Sequence, residues 1–185
     1  MTSGLSGIDY LEKRQMLTAP TATYPFEGEF KGVHQLAGGE KRVYVNQNYA
    51  LRSTSEEVLG SEGFSSCSAL IIQNKDTPEA YLAHITKWDL TDQQYEELAR
   101  LSPGKYLVTF VVGSFSRVSS DTLANPDVSQ FMNKLKVDNR EAEVAGDVVV
   151  PSGDGHWSVS YSPKDKKIKV FTRKDKMVRE YPLMV

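Results

Sequence analysis

The run Tyr106-Leu107-Val108-Thr109-Phe110-Val111-Val112 constrains this chain more than any other feature, being apolar almost throughout and only a strand in length. A strand with one wet face alternates apolar and polar residues, so a near-continuous apolar run implies cover on both faces. The sequence therefore predicts a central strand over residues 106–112, and the rest of the fold must supply its neighbours.

Further strand signals stand on either side. Residues 26–36 alternate weakly, residues 42–51 carry Val43, Val45 and aromatics, and residues 69–73 form a short apolar run, with Gly38-Gly39 as the first turn. Behind Pro78, residues 79–85 alternate through Tyr81, Ala83 and Ile85. The C-terminal third predicts strands over 141–150, 157–161 and 168–171, the last two joined as a hairpin across Pro163-Lys164-Asp165-Lys166. Two helices are expected in the middle. The first starts at the N-cap Thr91, runs through Tyr95, Leu98 and Leu101 and stops before Pro103-Gly104; the second covers 127–135 after Asn125-Pro126. Strands outnumber helices, and the expected class is α+β, a mixed β-sandwich core flanked by helices.

At 185 residues the chain is long enough to bury its own core. Residues 1–22, rich in Thr, Ser and Pro, read as an arm, and residues 23–185 as a single domain. A net charge of −2 supplies no bulk attraction to nucleic acid or anionic membranes; no nucleic-acid partner and no membrane span are expected. The first sixteen residues form neither a signal-peptide core nor a membrane span, so synthesis in the cytoplasm is expected. Delivery by a specialised secretion machine needs no apolar leader and stays open.

The sequence holds one cysteine, which rules out an internal disulfide. On spacing alone, a lone cysteine reads first as a small buried apolar residue. Its surroundings also suit chemistry, because Ser61-Glu62-Gly63-Phe64-Ser65-Ser66-Cys67 reads as a small, flexible turn running into an apolar strand. There a carbonyl can approach the thiol, and the backbone N–H groups near Ser66 and Cys67 can stabilise an oxyanion. A thiol with its ordinary pKa of about 8.5 needs a basic neighbour to be a strong nucleophile at neutral pH. His84, seventeen residues on, is one strand, a turn and a returning strand away.

The segments Ser-x-Gly-Phe-Ser-Ser-Cys (61–67) and Tyr81-Leu82-Ala83-His84-Ile85 resemble the Thr-x-Gly-Leu-Gly-Ser-Cys and Ala-His-Ile segments of the chemotaxis receptor glutamine deamidases. Similar folds occur in the catalytic domains of the cytotoxic necrotizing factors and in Burkholderia lethal factor, which are cysteine–histidine deamidases of protein glutamines. The likeness covers residues 61–85, and two departures matter: Ser61 stands for the family's threonine and Ser65 for its second glycine. It implies that Cys67 is the nucleophile, that His84 is the base and that Ser61 orients the imidazole. The reaction would turn a glutamine on a protein partner into glutamate without a cofactor.

The arm and the basic C-terminal third exceed what a compact receptor-modifying enzyme needs, which points toward an effector toxin. Two other outcomes stay open: a noncatalytic binding module with a packed Cys67, or a related transglutaminase or protease. His156, in Ser152-Gly153-Asp154-Gly155-His156-Trp157, is either a hairpin-turn residue or a substrate contact at the mouth of the site. His34 has no ligand-like neighbours and no metal is expected. Lys164, Lys166, Lys167, Lys169, Arg173, Lys174, Lys176 and Arg179 read either as the solvated face of an edge hairpin or as a surface that steers an acidic partner.

Overall fold

The computed structural model describes residues 42–54, 57–87, 89–119, 132–133, 135–136, 140–150, 156–172 and 177–183. The expected arm, the weak strand over 26–36, His34, the Gly38-Gly39 turn and residues 151–155 lie outside the described residues. So does most of the second expected helix. Of it, Met132, Asn133 and Leu135 are helical, and Lys136 N donates to Met132 O at 3.1 Å.

The described chain is mostly β, in two mixed five-stranded sheets with one full helix. The strands are β1 (Arg42–Tyr44), β2 (Ala50–Ser53), β3 (Val58–Phe64), β4 (Ser68–Asn74), β5 (Ala80–Ile85), β6 (Gly104–Val112), β7 (Arg140–Val149), β8 (Trp157–Ser162), β9 (Lys167–Thr172) and β10 (Met177–Pro182), with helix α1 (Asp92–Ala99) between β5 and β6. The first sheet has the order β1-β3-β8-β9-β10 and the second β2-β5-β4-β6-β7. Pairs β1/β3 and β6/β7 are parallel and all others antiparallel.

The run over 106–112 behaves as its composition demands. It lies in β6, between β4 and β7, and every residue from Tyr106 to Val112 is buried. Alternation sends its neighbours to two clusters. Ala69, Ile71 and Leu82 of the second sheet join Leu59, Phe64 and Val159 of the first sheet in one. Leu70, Ile72 and Ala83, on the opposite face of the second sheet, join Leu98 of α1 and Leu135 in the other.

Two expectations over the first strands need correction. Residues 42–51 form not one strand but two, β1 and β2, which belong to different sheets. The break is the turn Asn46-Gln47-Asn48-Tyr49, closed by Tyr49 N donating to Asn46 O at 3.0 Å, with Asn48 at φ 65°. Asparagine enters that left-handed region more readily than other side chains. Residues 61–64, expected as a flexible turn, are the end of β3. The irregularity responsible for the turn-like sequence is a bulge at Glu62-Gly63, since three steps along β3 (Ser61 to Phe64) match two along β8 (Val159 to Trp157).

Helix α1 starts at the expected N-cap. Thr91 Oγ1 accepts from Gln94 N, and the Gln94 side chain caps Thr91 N at 3.0 Å. The next face covers the edge strand β2. The Gln93 amide pairs with both backbone groups of Ala50 at 2.8 and 2.7 Å, and Glu97 Oε2 accepts from Arg52 N at 2.9 Å. The helix thereby occupies backbone groups that an edge strand otherwise presents to a foreign strand.

The sheets are also joined by a polar contact. Tyr161 on β8 donates through its hydroxyl to Gln73 Oε1 on β4 at 2.6 Å, both side chains being fully buried. Tyr161→Phe leaves that oxygen without its donor in a site closed to water. It should destabilise the protein by about 1–3 kcal/mol in urea unfolding.

Candidate active site

The strand pairings bring together residues far apart in sequence. In the β4/β5 pair Ala69 faces His84, and Cys67 precedes Ala69 by two residues and shares its cluster. Cys67 and His84 therefore stand diagonally on one face, a relationship that puts Cα atoms about 7–8 Å apart in a regular pair. Ser61 reaches the same place from β3 in the other sheet.

Ser61 decides the state of the histidine. Its hydroxyl donates to Val45 O at 2.6 Å and lies 2.9 Å from His84 Nδ1. A serine has one O–H, and a carbonyl can only accept, so toward the imidazole Ser61 must be the acceptor. This assigns the proton to Nδ1 and leaves Nε2 as a bare lone pair. Nε2 is buried and has no hydrogen-bond partner, so the Cys67 thiol does not donate to it in this state.

The ring is also held by stacking. Phe64 lies on His84 with centroids 3.8 Å apart and planes at 15°, and on its other side stacks on Trp157 at 4.2 Å and 14°. Ser61 and Phe64 are three residues apart, and in a regular strand they would point to opposite faces. The bulge inserts the one extra residue that turns Phe64 back to Ser61's side. Gly63 takes φ 76° there, and a Cβ at that position would meet nothing within 4 Å.

The main chain of His84 is clamped as well. Asn48 N donates to its carbonyl at 3.0 Å, Gln94 Nε2 donates to the same oxygen at 3.1 Å, and His84 N donates to Tyr49 O at 3.1 Å. Gln94, whose side chain completes the cap of α1, thus also fixes the strand position of the imidazole.

Cys67 sits between β3 and β4 in a segment braced by the loop after β6. Arg117 N donates to Ser66 O at 3.1 Å, Ser116 Oγ to Cys67 O at 2.7 Å, and Ser68 Oγ to Val118 O. In a trans peptide the C=O and N–H point oppositely, so fixing Ser66 O turns the Cys67 amide away from that loop. Around the sulfur are the Ser66 hydroxyl, the Ser65 amide, the charge of Arg117 and Gln47 Nε2, the last at 3.8 Å.

Burial governs both titrations. It pushes the Cys67 thiol up, against the lowering effect of Ser66, Ser65 and Arg117, and it pushes the His84 imidazole down to about 3. The resting state is therefore neutral thiol beside neutral imidazole, not an ion pair.

Of the expected residues, Ser61, Cys67, Ser66 and His84 converge. His156 is exposed at the start of β8, next to the Trp157 of the aromatic stack. Gln47, Phe64, Trp157 and Gln94 were not anticipated; the local signs were the Glu62-Gly63 irregularity and the Thr91-to-Gln94 spacing. Among the described residues, no three His, Cys, Asp or Glu side chains gather to hold a metal ion. No protein-family model matches the chain, and no curated protein matches it significantly.

Two measurements follow. An unfolded histidine has a pKa of about 6.5, so below that pH the unfolded chain gains a proton that buried His84 refuses until about pH 3. Stability is present above pH 6.5 and lost as pH falls. The loss should be about 2 kcal/mol between pH 7 and pH 5 in urea unfolding, and nearly absent in His84→Gln. Glu79 adds to acid lability only at lower pH. Its burial would raise its pKa, but hydrogen bonds from Tyr106, Arg52 and Ser102 lower it overall. Gly63→Ala should cost about 1–2 kcal/mol through its left-handed backbone alone, read by the same unfolding.

Proposed function

We propose that this chain is a cysteine-dependent glutamine deamidase acting on a protein, with Cys67 as nucleophile, His84 as proton carrier and Ser61 as its orienting group. One observation carries the reading. The Ser61 proton is committed to Val45 O, which obliges Nδ1 to hold its proton and leaves Nε2 free to take one from the thiol side. The likeness of residues 61–85 to the glutamine deamidases supplies the substrate class.

On this reading, Nε2 removes the thiol proton as sulfur attacks, because a thiol raised by burial holds little standing thiolate. The sulfur pair forms the S–C bond to the glutamine carboxamide, and the carbonyl π pair moves onto oxygen. When that pair returns, the C–N bond breaks and nitrogen leaves as ammonia with the proton from Nε2. Water, deprotonated by the same nitrogen, opens the thioester to glutamate and restores the thiol. The finer architecture belongs to the same proposal: the sheets stack as a β-sandwich, with α1 and the turn around Leu135 on the outer face of the second. A bacterial effector acting on a host protein remains our preferred setting, on the grounds of the arm and the basic C-terminal third.

The burial of both side chains favours a second reading, a noncatalytic module in which Cys67 and His84 only pack. Casein offered as a generic glutamine-bearing substrate separates the two. Deamidation predicts ammonia release with Gln-to-Glu conversion in peptide mass spectra. Both are lost in Cys67→Ala, cut about 10²–10⁴-fold in His84→Ala, slowed in Ser61→Ala and kept in Ser61→Thr. A native Cys67 that resists iodoacetamide even at pH 9 would sink the enzyme reading and leave the binding module.

A further inference from the structure

The turn of residues 46–49, which links β1 of the first sheet to β2 of the second, adjoins all three members of the site. Val45 O, just before it, accepts from Ser61; Asn48 N donates to His84 O; and Tyr49 O accepts from His84 N. Gln47, on the turn itself, directs Nε2 to Cys67 Sγ at 3.8 Å although its side chain is otherwise exposed. A glutamine amide is an unusual neighbour for a thiol with no structural need of it, since sulfur is a weak acceptor. The aim is set by the backbone, through the left-handed Asn48 at φ 65° and the Tyr49-to-Asn46 hydrogen bond.

Resting on the deamidase reading, we infer that Gln47 is a catalytic oxyanion donor, its side-chain N–H binding the oxygen that becomes negative when Cys67 attacks a carbonyl. That oxygen forms on the carbon bonded to Sγ, so a donor already beside the sulfur meets it with little movement. A primary amide carries two N–H groups, and one facing sulfur leaves a second for the oxyanion. The Cys67 amide, turned away from the bracing loop, is the backbone partner in this hole. In the step concerned, the S–C bond forms, the π pair moves to oxygen, and the Gln47 amide keeps its protons throughout. Its contribution is electrostatic, given before charge develops and without reorganisation.

The test compares two reactions of Cys67 in the full chain. Iodoacetamide alkylates sulfur by displacement with no oxyanion, whereas p-nitrophenyl acetate acylates it through a tetrahedral oxyanion. Gln47→Ala should slow acylation about 10²–10³-fold, the cost of one lost oxyanion donor, while alkylation changes far less. Gln47→Glu keeps the shape, replaces the donor with an acceptor, and should slow acylation at least as much. Equal loss of both rates would assign Gln47 to holding the thiol and overturn the inference, as would no loss of either. A wild-type Cys67 inert to both reagents would overturn the deamidase reading and this inference with it. Cys67→Ala, with no reaction at all, identifies the sulfur as the site read.

Discussion

The hydrogen bond between Ser61 and His84 joins one sheet to the other, and the rest of the site depends on which of the two donates. An imidazole closed off from water is costly to charge, so His84 stays neutral and must choose a tautomer. The choice is made two atoms away, by a carbonyl that cannot donate. Val45 O accepts from the serine hydroxyl, the serine oxygen accepts from the Nδ1–H, and Nε2 is left basic. Reversing the chain of donors would require a donor where Val45 has a carbonyl. The tautomer is therefore fixed by the backbone of Val45, the residue after β1, which is itself tied to β3 by its N–H bond to Gly60 O.

This dependence explains an otherwise awkward strand. β3 must present a hydroxyl to one edge of the imidazole and an aromatic face to its plane, and regular pleating cannot do both from residues three apart. The Glu62-Gly63 bulge resolves the conflict, using a glycine in the left-handed region for one step. The second sheet makes a matching adjustment from the other side. Gln94 caps α1 and holds the carbonyl of His84, so helix start and imidazole position share one side chain.

The strands with strong patterns were legible in the sequence. The continuous run around Phe110, the alternation about Tyr81 and the hairpin across residues 163–166 each appear as strands with the expected partners or burial. Thr91 was legible as a cap because its chemistry is local. Legibility failed where a local signal served a nonlocal purpose. Gly63 between serines looks like a loop, and only pairing with β8 makes it a bulge. Residues 42–51 look like one strand, because nothing in Val43, Val45 or Leu51 says that they belong to different sheets. Ser61, Cys67 and His84 could be named through motif spacing, whereas Gln47 could not. Its aim at the sulfur comes from a turn between sheets, and that geometry has no signature in neighbouring residues.

The neutral resting pair gives the site a particular logic. A standing thiolate–imidazolium pair would have to be stabilised in a pocket that burial makes hostile to charge. Here both groups are held uncharged, and donors are gathered around the sulfur: the Ser65 amide, the Ser66 hydroxyl, Gln47 and the charge of Arg117. These donors are too weak together to lower the thiol against its burial, so they do little for the ground state. On the proposed mechanism they would act later, as negative charge develops on sulfur and carbonyl oxygen among dipoles already in place. On the proposed mechanism, a site organised this way would favour carbonyl substrates over simple alkylating agents at the same sulfur, because only the former develop an oxyanion that the donors can meet.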